Sequence, residues 1–93
     1  MDVYQSRSFE NKVKKLSKKD KFLLDTEIKE IEKNPLLGTE KKGDLKGIFV
    51  YKFKIKTALY LLSYRIVADS IELIMLGSHA NYYRDLKSYL KNR

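Results

Sequence analysis

The sequence predicts a single α+β domain over residues 1–93, with a helical hairpin packed on a small, mainly antiparallel four-stranded sheet. Apolar side chains recur at helical spacing in residues 8–34, and they recur again in residues 81–91. Between these segments, residues 47–76 alternate with period two or run apolar and β-branched, as strands do. Because these strands follow one another without an intervening helix, antiparallel pairing is favoured. The predicted element order is β-α-α-β-β-β-α.

The first half of the chain predicts a short strand and two helices. Residues 1–6 alternate weakly, and Ser8 follows where a helix N-cap belongs. Ser17 begins a second start pattern, in which an acid stands three residues after a serine. Asn34-Pro35 should end the second helix, because the residue before a proline is pushed out of the α region. The two helices therefore form a hairpin that covers one face of the sheet.

The second half predicts the rest of the sheet. Residues 36–46 contain two glycines and predict a loop. Strands follow at residues 47–56, 59–67 and 71–76, with tight turns between them. The final helix, at residues 81–91, closes the domain.

Three lysines occupy alternate positions of the first of these strands, Lys52, Lys54 and Lys56. Period-two geometry places their ammonium groups in a row, roughly 6–7 Å apart. A phosphodiester backbone could lie along such a row, and the cations could stabilise charge that develops on a phosphate. The row is also what the solvated face of a half-covered sheet looks like, and lysines there discourage edge pairing.

The single histidine, His79, follows a Gly-Ser pair at the end of the last strand. Imidazole is the side chain whose unperturbed pKa suits proton transfer near neutral pH. A loop at a strand end is where functional groups tend to be displayed. The alternative is a surface or capping histidine with no chemical role.

An aromatic pair and an arginine follow the histidine: Tyr82, Tyr83 and Arg84. At a helix start one tyrosine must face the core, and the other can stack on a base or donate to a phosphate. The planar Arg84 guanidinium suits a phosphate. Arg65, in the central strand, belongs to the same patch if the lysines share its face, and otherwise pairs with an acid.

Composition narrows the partners and the chemistry. Twenty Lys and Arg against twelve Asp and Glu give a net charge of +8, which attracts polyanions or serves solubility alone. The absence of cysteine excludes disulfides and thiolate metal sites. With one histidine and no acid cluster of magnesium-site spacing, no metal or other cofactor is expected, so a nuclease here would use the 2′-hydroxyl of RNA. No membrane span or signal peptide is visible, which favours the cytoplasm.

The block YKFKIK … YLLSYRI … IELIMLGSHANYYRDLK resembles the RelE/ParE superfamily of bacterial type II toxins, and the Gly-Ser-His turn before an aromatic pair is its most specific part. This resemblance implies a RelE-like sheet with a concave basic surface. It also implies a cognate antitoxin that wraps the toxin with an extended acidic or amphipathic segment. Operator DNA would be contacted only through the antitoxin complex.

RelE-like members cleave messenger RNA in the ribosomal A site, so the resemblance implies messenger RNA and the ribosome as partners. Carried onto this chain, Lys52 and Lys54 would bind phosphate and stabilise the transition state. His79 would be the general base or acid, and Tyr83 would stack on the substrate. The predicted catalytic residues are thus His79, Lys52, Lys54 and Tyr83, and the predicted RNA-binding residues are Lys56, Arg65, Tyr82 and Arg84.

Two departures from the RelE-like pattern keep a second interpretation open. RelE carries an arginine where this chain has Tyr60-Leu61-Leu62, and YafQ-like members carry further His and Asp residues where this chain has Ile or Leu. The alternative is a ParE-like toxin, which shares the fold and inhibits DNA gyrase by binding, without ribonuclease activity.

Overall fold

The computed structural model describes residues 2–92, which form three helices and five strands. The elements in chain order are β1 (Asp2–Gln5), α1 (Arg7–Lys14), α2 (Lys18–Lys33), β2 (Thr39–Glu40), β3 (Phe49–Ile55), β4 (Ala58–Val67), β5 (Ser70–Gly77) and α3 (Tyr82–Lys91). A single 3₁₀ turn, Gly43–Leu45, lies between β2 and β3.

The strands form one sheet in the order β1-β5-β4-β3-β2. Strand β1 is parallel to β5, and the other neighbours are antiparallel. The α+β class is therefore confirmed, but the predicted count of four strands is wrong by one. The extra strand, β2, lies in the predicted loop and pairs Thr39 with Val50 and Glu40 with Phe49. Two residues are too few to carry a period-two pattern, so the sequence held no sign of it.

Serine side chains cap both helices of the hairpin. Ser17 Oγ accepts a hydrogen bond from the Asp20 amide at 3.1 Å, as its start pattern predicts. The first cap is Ser6, whose Oγ accepts from the Phe9 amide at 3.1 Å, and not the predicted Ser8. Helix α2 ends at Lys33, immediately before Asn34-Pro35, which confirms the predicted stop.

Helices cover both faces of the sheet. On one face, α1 and α2 insert side chains such as Phe9, Leu24 and Ile31 among the inward residues of β3, β4 and β5. On the other face, Tyr82 and Leu86 of α3 pack with residues that include Ile74 of β5. The face toward α3 is only partly covered, because the short helix leaves the far ends of β3 and β4 exposed. No helix within residues 2–92 is long and apolar enough to cross a membrane.

Candidate functional site

Strand register places Lys52, Leu61 and Gly77 in one row across three strands. Lys52 pairs with Leu61, and Leu61 pairs with Gly77. Residues directly opposed in antiparallel pairs point to the same face of the sheet. The Lys52 side chain therefore lies on the face toward which a side chain at position 77 would point. Two strand spacings separate the Cα atoms of Lys52 and Gly77, which is about 10 Å. Lys54 stands in the next row, opposite the half-exposed Leu59.

The His79 ring lies directly over Gly77. A Cβ atom built on Gly77 would come within 3.0 Å of both Nδ1 and Cε1 of His79, so no other residue fits there without displacing the ring. The Tyr82 ring, with its centroid 5.9 Å away, flanks the imidazole. The histidine therefore lies on the lysine face of the sheet, at the end of β5.

Asp85 is the acid that holds this histidine. Its Oδ2 atom lies 2.9 Å from His79 Nε2, and each side chain is 46% exposed. Asp85 stands in the first turn of α3, which places it above the turn that displays the imidazole. Arg84, which is exposed, brings its Nε within 3.6 Å of Asp85 Oδ1. Sequence reasoning missed Asp85, and the only sign was an acid six residues beyond a histidine in a loop.

The two tyrosines that follow the histidine have different environments. Tyr82 is 1% exposed, and its hydroxyl donates to the Met75 carbonyl at 2.7 Å and lies within hydrogen-bond distance of Ser63 Oγ, at 2.9 Å. Burial raises the pKa of this phenol. The predicted contact of Tyr82 with RNA finds no support in this placement, because its ring is part of the core and its hydroxyl is engaged.

Tyr83 is the outer tyrosine of the pair. It is half-buried, and the ammonium group of Lys41 lies 5.2 Å from the centre of its ring, within range of a cation–π contact. Lys41 also lines a surface depression together with Lys52. Sequence reasoning missed Lys41 because the loop that carries it shows no pattern until β2 pairs with β3. Lys41 therefore contacts Tyr83 and also lines the depression to which Lys52 belongs.

Lys56 and Arg65, both predicted to bind RNA, lie away from this group. Lys56 has a positive φ of 58°, which ends the strand alternation, and its ammonium lies 3.8 Å from Asp20 Oδ1 of α2, on the opposite side of the sheet. Arg65 does share the strand face of the lysines, but it stands four residues along β4 from Leu61, about 13 Å away. Its Nε donates to Glu72 Oε1 at 2.8 Å.

A cleft of about 490 Å³ opens between α1 and α3, on the side of His79 that faces away from the lysines of β3. Its α1 wall includes Arg7, Lys12 and Lys15, and its α3 wall includes Asp85, with His79 beside it. The histidine thus stands between two basic surfaces. Within residues 2–92, no group of three His, Cys, Asp or Glu side chains is placed to hold a metal ion. The arrangement can bind a polyanion and move a proton at His79.

Fold and site together define a toxin of the RelE/ParE superfamily. Residues 3–87 match the family described as ParE-like toxin of type II bacterial toxin-antitoxin system, and the chain belongs to that family. No curated protein sequence matches the chain.

Solved structures share the fold at low sequence identity. A chain of the intact Escherichia coli RelBE toxin-antitoxin complex has a TM-score of 0.67 and 16% identity, over 84% of this chain and 95% of that one. The isolated E. coli RelE toxin has a TM-score of 0.65 and 16% identity, over 94% of this chain and 96% of that one. The YoeB/ParE toxin from Agrobacterium tumefaciens has a TM-score of 0.68 and 18% identity, over 85% of this chain and 99% of that one. At such identities the likeness concerns the fold alone.

Proposed function

We propose that this toxin is a metal-independent endoribonuclease that cuts messenger RNA on the translating ribosome. The observation that carries the proposal is the His79–Asp85 pair on the same sheet face as Lys52 and Lys54. A proton-transfer group held by an acid, over Gly77 and on the face where Lys52 stands two strands away, suits phosphodiester cleavage; the Cα atoms of Lys52 and Gly77 are about 10 Å apart. Extended lysine side chains bridge much of that distance, so one phosphate can contact both.

The proposed reaction needs no group from outside the protein and the RNA. The 2′-hydroxyl attacks the adjacent phosphorus, and the bond from phosphorus to the 5′-oxygen breaks. His79 accepts the hydroxyl proton at Nδ1 when Nε2 carries the proton shared with Asp85, and solvent protonates the departing oxygen. Lys52 and Lys54 stabilise the charge that develops on the phosphate. The products are a 2′,3′-cyclic phosphate and a 5′-hydroxyl end.

Tyr83 and Arg84 complete the proposed site. The Tyr83 ring, next to Lys41 and the lysine face, would stack on a base of the bound RNA. The exposed guanidinium of Arg84, beside Asp85, would bind a phosphate close to His79. These two residues position the strand, and His79 transfers the proton.

The family description supports a second candidate, a ParE-like toxin that inhibits DNA gyrase by binding. In that case the basic face would serve recognition, and the His79–Asp85 pair would only stabilise the turn before α3. The two candidates differ in whether RNA is cut, and one experiment separates them.

The test combines in vitro translation, mapping of messenger cut sites, and a gyrase supercoiling assay with the same protein. The wild type should cut messages and leave 5′-hydroxyl and cyclic-phosphate ends. His79→Gln keeps a polar side chain of similar size without the proton transfer, so cleavage should fall about 10²- to 10⁴-fold. Intact message together with blocked supercoiling would establish the gyrase candidate instead.

We propose as well that a cognate antitoxin covers the basic face in the cell, as the type II family and the RelBE complex suggest. A net charge of +8 favours an acidic antitoxin segment. The toxin, expressed with its neighbouring genes, should be recovered from extract in complex with a small acidic protein that raises its melting temperature. Recovery of RNA alone, at low and at moderate salt, would contradict this.

A further inference from the structure

The cleft between α1 and α3 has one wall built from two rows of a single helix face. Arg7, Asn11 and Lys15 follow at intervals of four residues, and Ser8 and Lys12 form the adjacent row. Side chains four apart are neighbours on a helix surface, so these five residues converge on one concavity. The facing wall carries His79 and Asp85.

The positive charges that α1 brings to this cleft have no ion-pair partner within residues 2–92. Arg7, Lys12 and Lys15 form no ion pair with any residue from 2 to 92, whereas Lys14, outside the cleft on the same helix, lies 3.8 Å from Glu10. Among residues 2–92, one carboxylate lines the cleft, that of Asp85, and His79 and Arg84 both contact it. Three cations around one concavity raise the local concentration of anions.

We propose that this cleft binds a phosphate of the same RNA strand, one or two nucleotides from the bond that is cut. The inference rests on the proposed function and names α1 as a part of its substrate site. The sheet order places β5 and His79 between the cleft and the lysines of β3. A strand that crosses Lys52 and passes His79 therefore continues into the cleft.

The lining of the cleft suits a nucleotide better than an acidic peptide. Arg7 offers a planar fork to phosphate oxygens, and Ser8 and Asn11 offer hydrogen bonds to phosphate or ribose. Met75 and Leu76 supply apolar surface for the sugar or base. A phosphodiester chain also carries a charge at every nucleotide, so one strand can satisfy the cleft and the lysine row on both sides of His79.

The test measures binding of a short single-stranded RNA with 2′-O-methyl riboses, which cannot be cut because the nucleophile is blocked. Lys12→Gln/Lys15→Gln removes two cleft charges. Lys14→Gln/Lys19→Gln, which changes exposed lysines outside the cleft, removes the same net charge and is the matched control. Fluorescence anisotropy over a range of salt gives affinity and salt slope, and thermal unfolding verifies that each variant folds.

The cleft variant should bind about tenfold more weakly or worse, and its salt slope should fall by about 0.7, which is what one phosphate contact with a single strand contributes. The RNA affinity of the control variant should stay within about threefold of that of the wild type. Equal losses in both variants would overturn the proposal, because they indicate general attraction. Unchanged RNA binding with weaker binding of the antitoxin would also overturn it, and would assign the cleft to that partner.

The same variants separate this proposal from the endoribonuclease proposal. If the wild type leaves messages intact but the cleft variant alone loses RNA affinity, the nuclease is refuted and the RNA cleft stands. If messages are cut and the cleft variant binds RNA like the wild type, the nuclease stands and the cleft proposal is refuted.

Discussion

His79 Nε2 lies 2.9 Å from Asp85 Oδ2, across the turn that joins β5 to α3. The contact fixes one ring nitrogen and leaves Nδ1 beside Gly77, on the face that carries the lysines. A base oriented by an acid is the arrangement that proton-transfer sites use. The first two predictions therefore concern this pair.

Asp85→Asn should lower the rate of RNA cleavage about tenfold, less than the loss in His79→Gln. The amide oxygen can still accept a hydrogen bond from Nε2, but the negative charge that stabilises an imidazolium is gone. Asp85→Ala, which also removes the orientation, should lose more. Single-turnover cleavage gives the rate, and binding of uncleavable RNA should be unchanged or slightly tighter. A loss of binding that matches the loss of rate would assign Asp85 to the fold rather than to the reaction.

Gly77→Ala should disrupt the site with little effect on the rest of the fold. The new Cβ would stand 3.0 Å from the His79 ring and 3.2 Å from Cδ2 of the buried Tyr82, so the exposed imidazole must move. Cleavage should fall, but by less than in His79→Gln, because the ring is shifted and not removed, while overpacking lowers the free energy of unfolding by no more than about 1–3 kcal/mol. NMR of the histidine ring would show the displacement. Ser78→Ala, at the next residue, is the control and should leave the ring resonances unchanged.

The three lysines of the predicted row, Lys52, Lys54 and Lys56, should divide into two groups. Lys52→Gln/Lys54→Gln should weaken RNA binding and lower cleavage about 100-fold, because both ammonium groups face the proposed phosphate position. Lys56→Gln should leave cleavage within about twofold, because its side chain points to Asp20 of α2. The lost ion pair, exposed on the lysine side, should lower the free energy of unfolding by less than about 1 kcal/mol. A Lys56 variant as inactive as the double variant would show that the row has three members.

Substitutions in the tyrosine pair should have different effects, with Tyr82 affecting stability and Tyr83 affecting RNA binding. Tyr82→Phe takes from the Met75 carbonyl its phenol donor and from Ser63 Oγ its hydrogen-bond partner at 2.9 Å, and should lower the free energy of unfolding by about 1–3 kcal/mol. Tyr83→Phe keeps the aromatic face and should change neither stability nor cleavage, whereas Tyr83→Leu should weaken RNA binding by about 1–3 kcal/mol. Urea unfolding and anisotropy measure the two effects. Weaker RNA binding by a folded Tyr82→Phe protein would contradict the division.

Local patterns in the sequence predicted most of the fold. Period-two spacing identified β3 and its two faces, and Ser17 and Asn34-Pro35 marked the ends of α2. These features depend on residues close together in the chain. Strand β2 was missed because two residues carry no period, and the N-cap was placed two residues late because two serines flank Arg7.

The site was predicted less completely because its contacts join distant parts of the chain. Lys41 reaches Tyr83, and the basic face of α1 reaches Asp85, only after the sheet has formed. The alternation that placed Lys56 in the row fails at the turn, where its φ becomes positive. Spacing along a strand predicts which face a residue takes only while the strand continues.

Tyr51 should make the fold sensitive to alkaline pH. Its hydroxyl donates to Glu27 Oε1 at 2.7 Å, and this hydrogen bond, with burial and the nearby negative charge, raises the pKa of Tyr51 from 10.0 to about 12. A pKa raised in the folded state means that the stabilisation is complete below about pH 10 and is lost as the pH rises toward about 12. Burial raises the pKa of Tyr64 and Tyr82 as well, so the wild-type stability should fall steeply over this range.

Tyr51→Phe should be less stable than the wild type near pH 8, and this difference in stability should narrow from pH 10 upward. Tyr4→Phe, which removes an exposed phenol, is the control and should follow the wild type. Urea unfolding at a series of pH values measures the free energy of unfolding of each protein. If the difference between Tyr51→Phe and the wild type stays constant to pH 12, the Glu27 hydrogen bond does not hold the phenol in its neutral form.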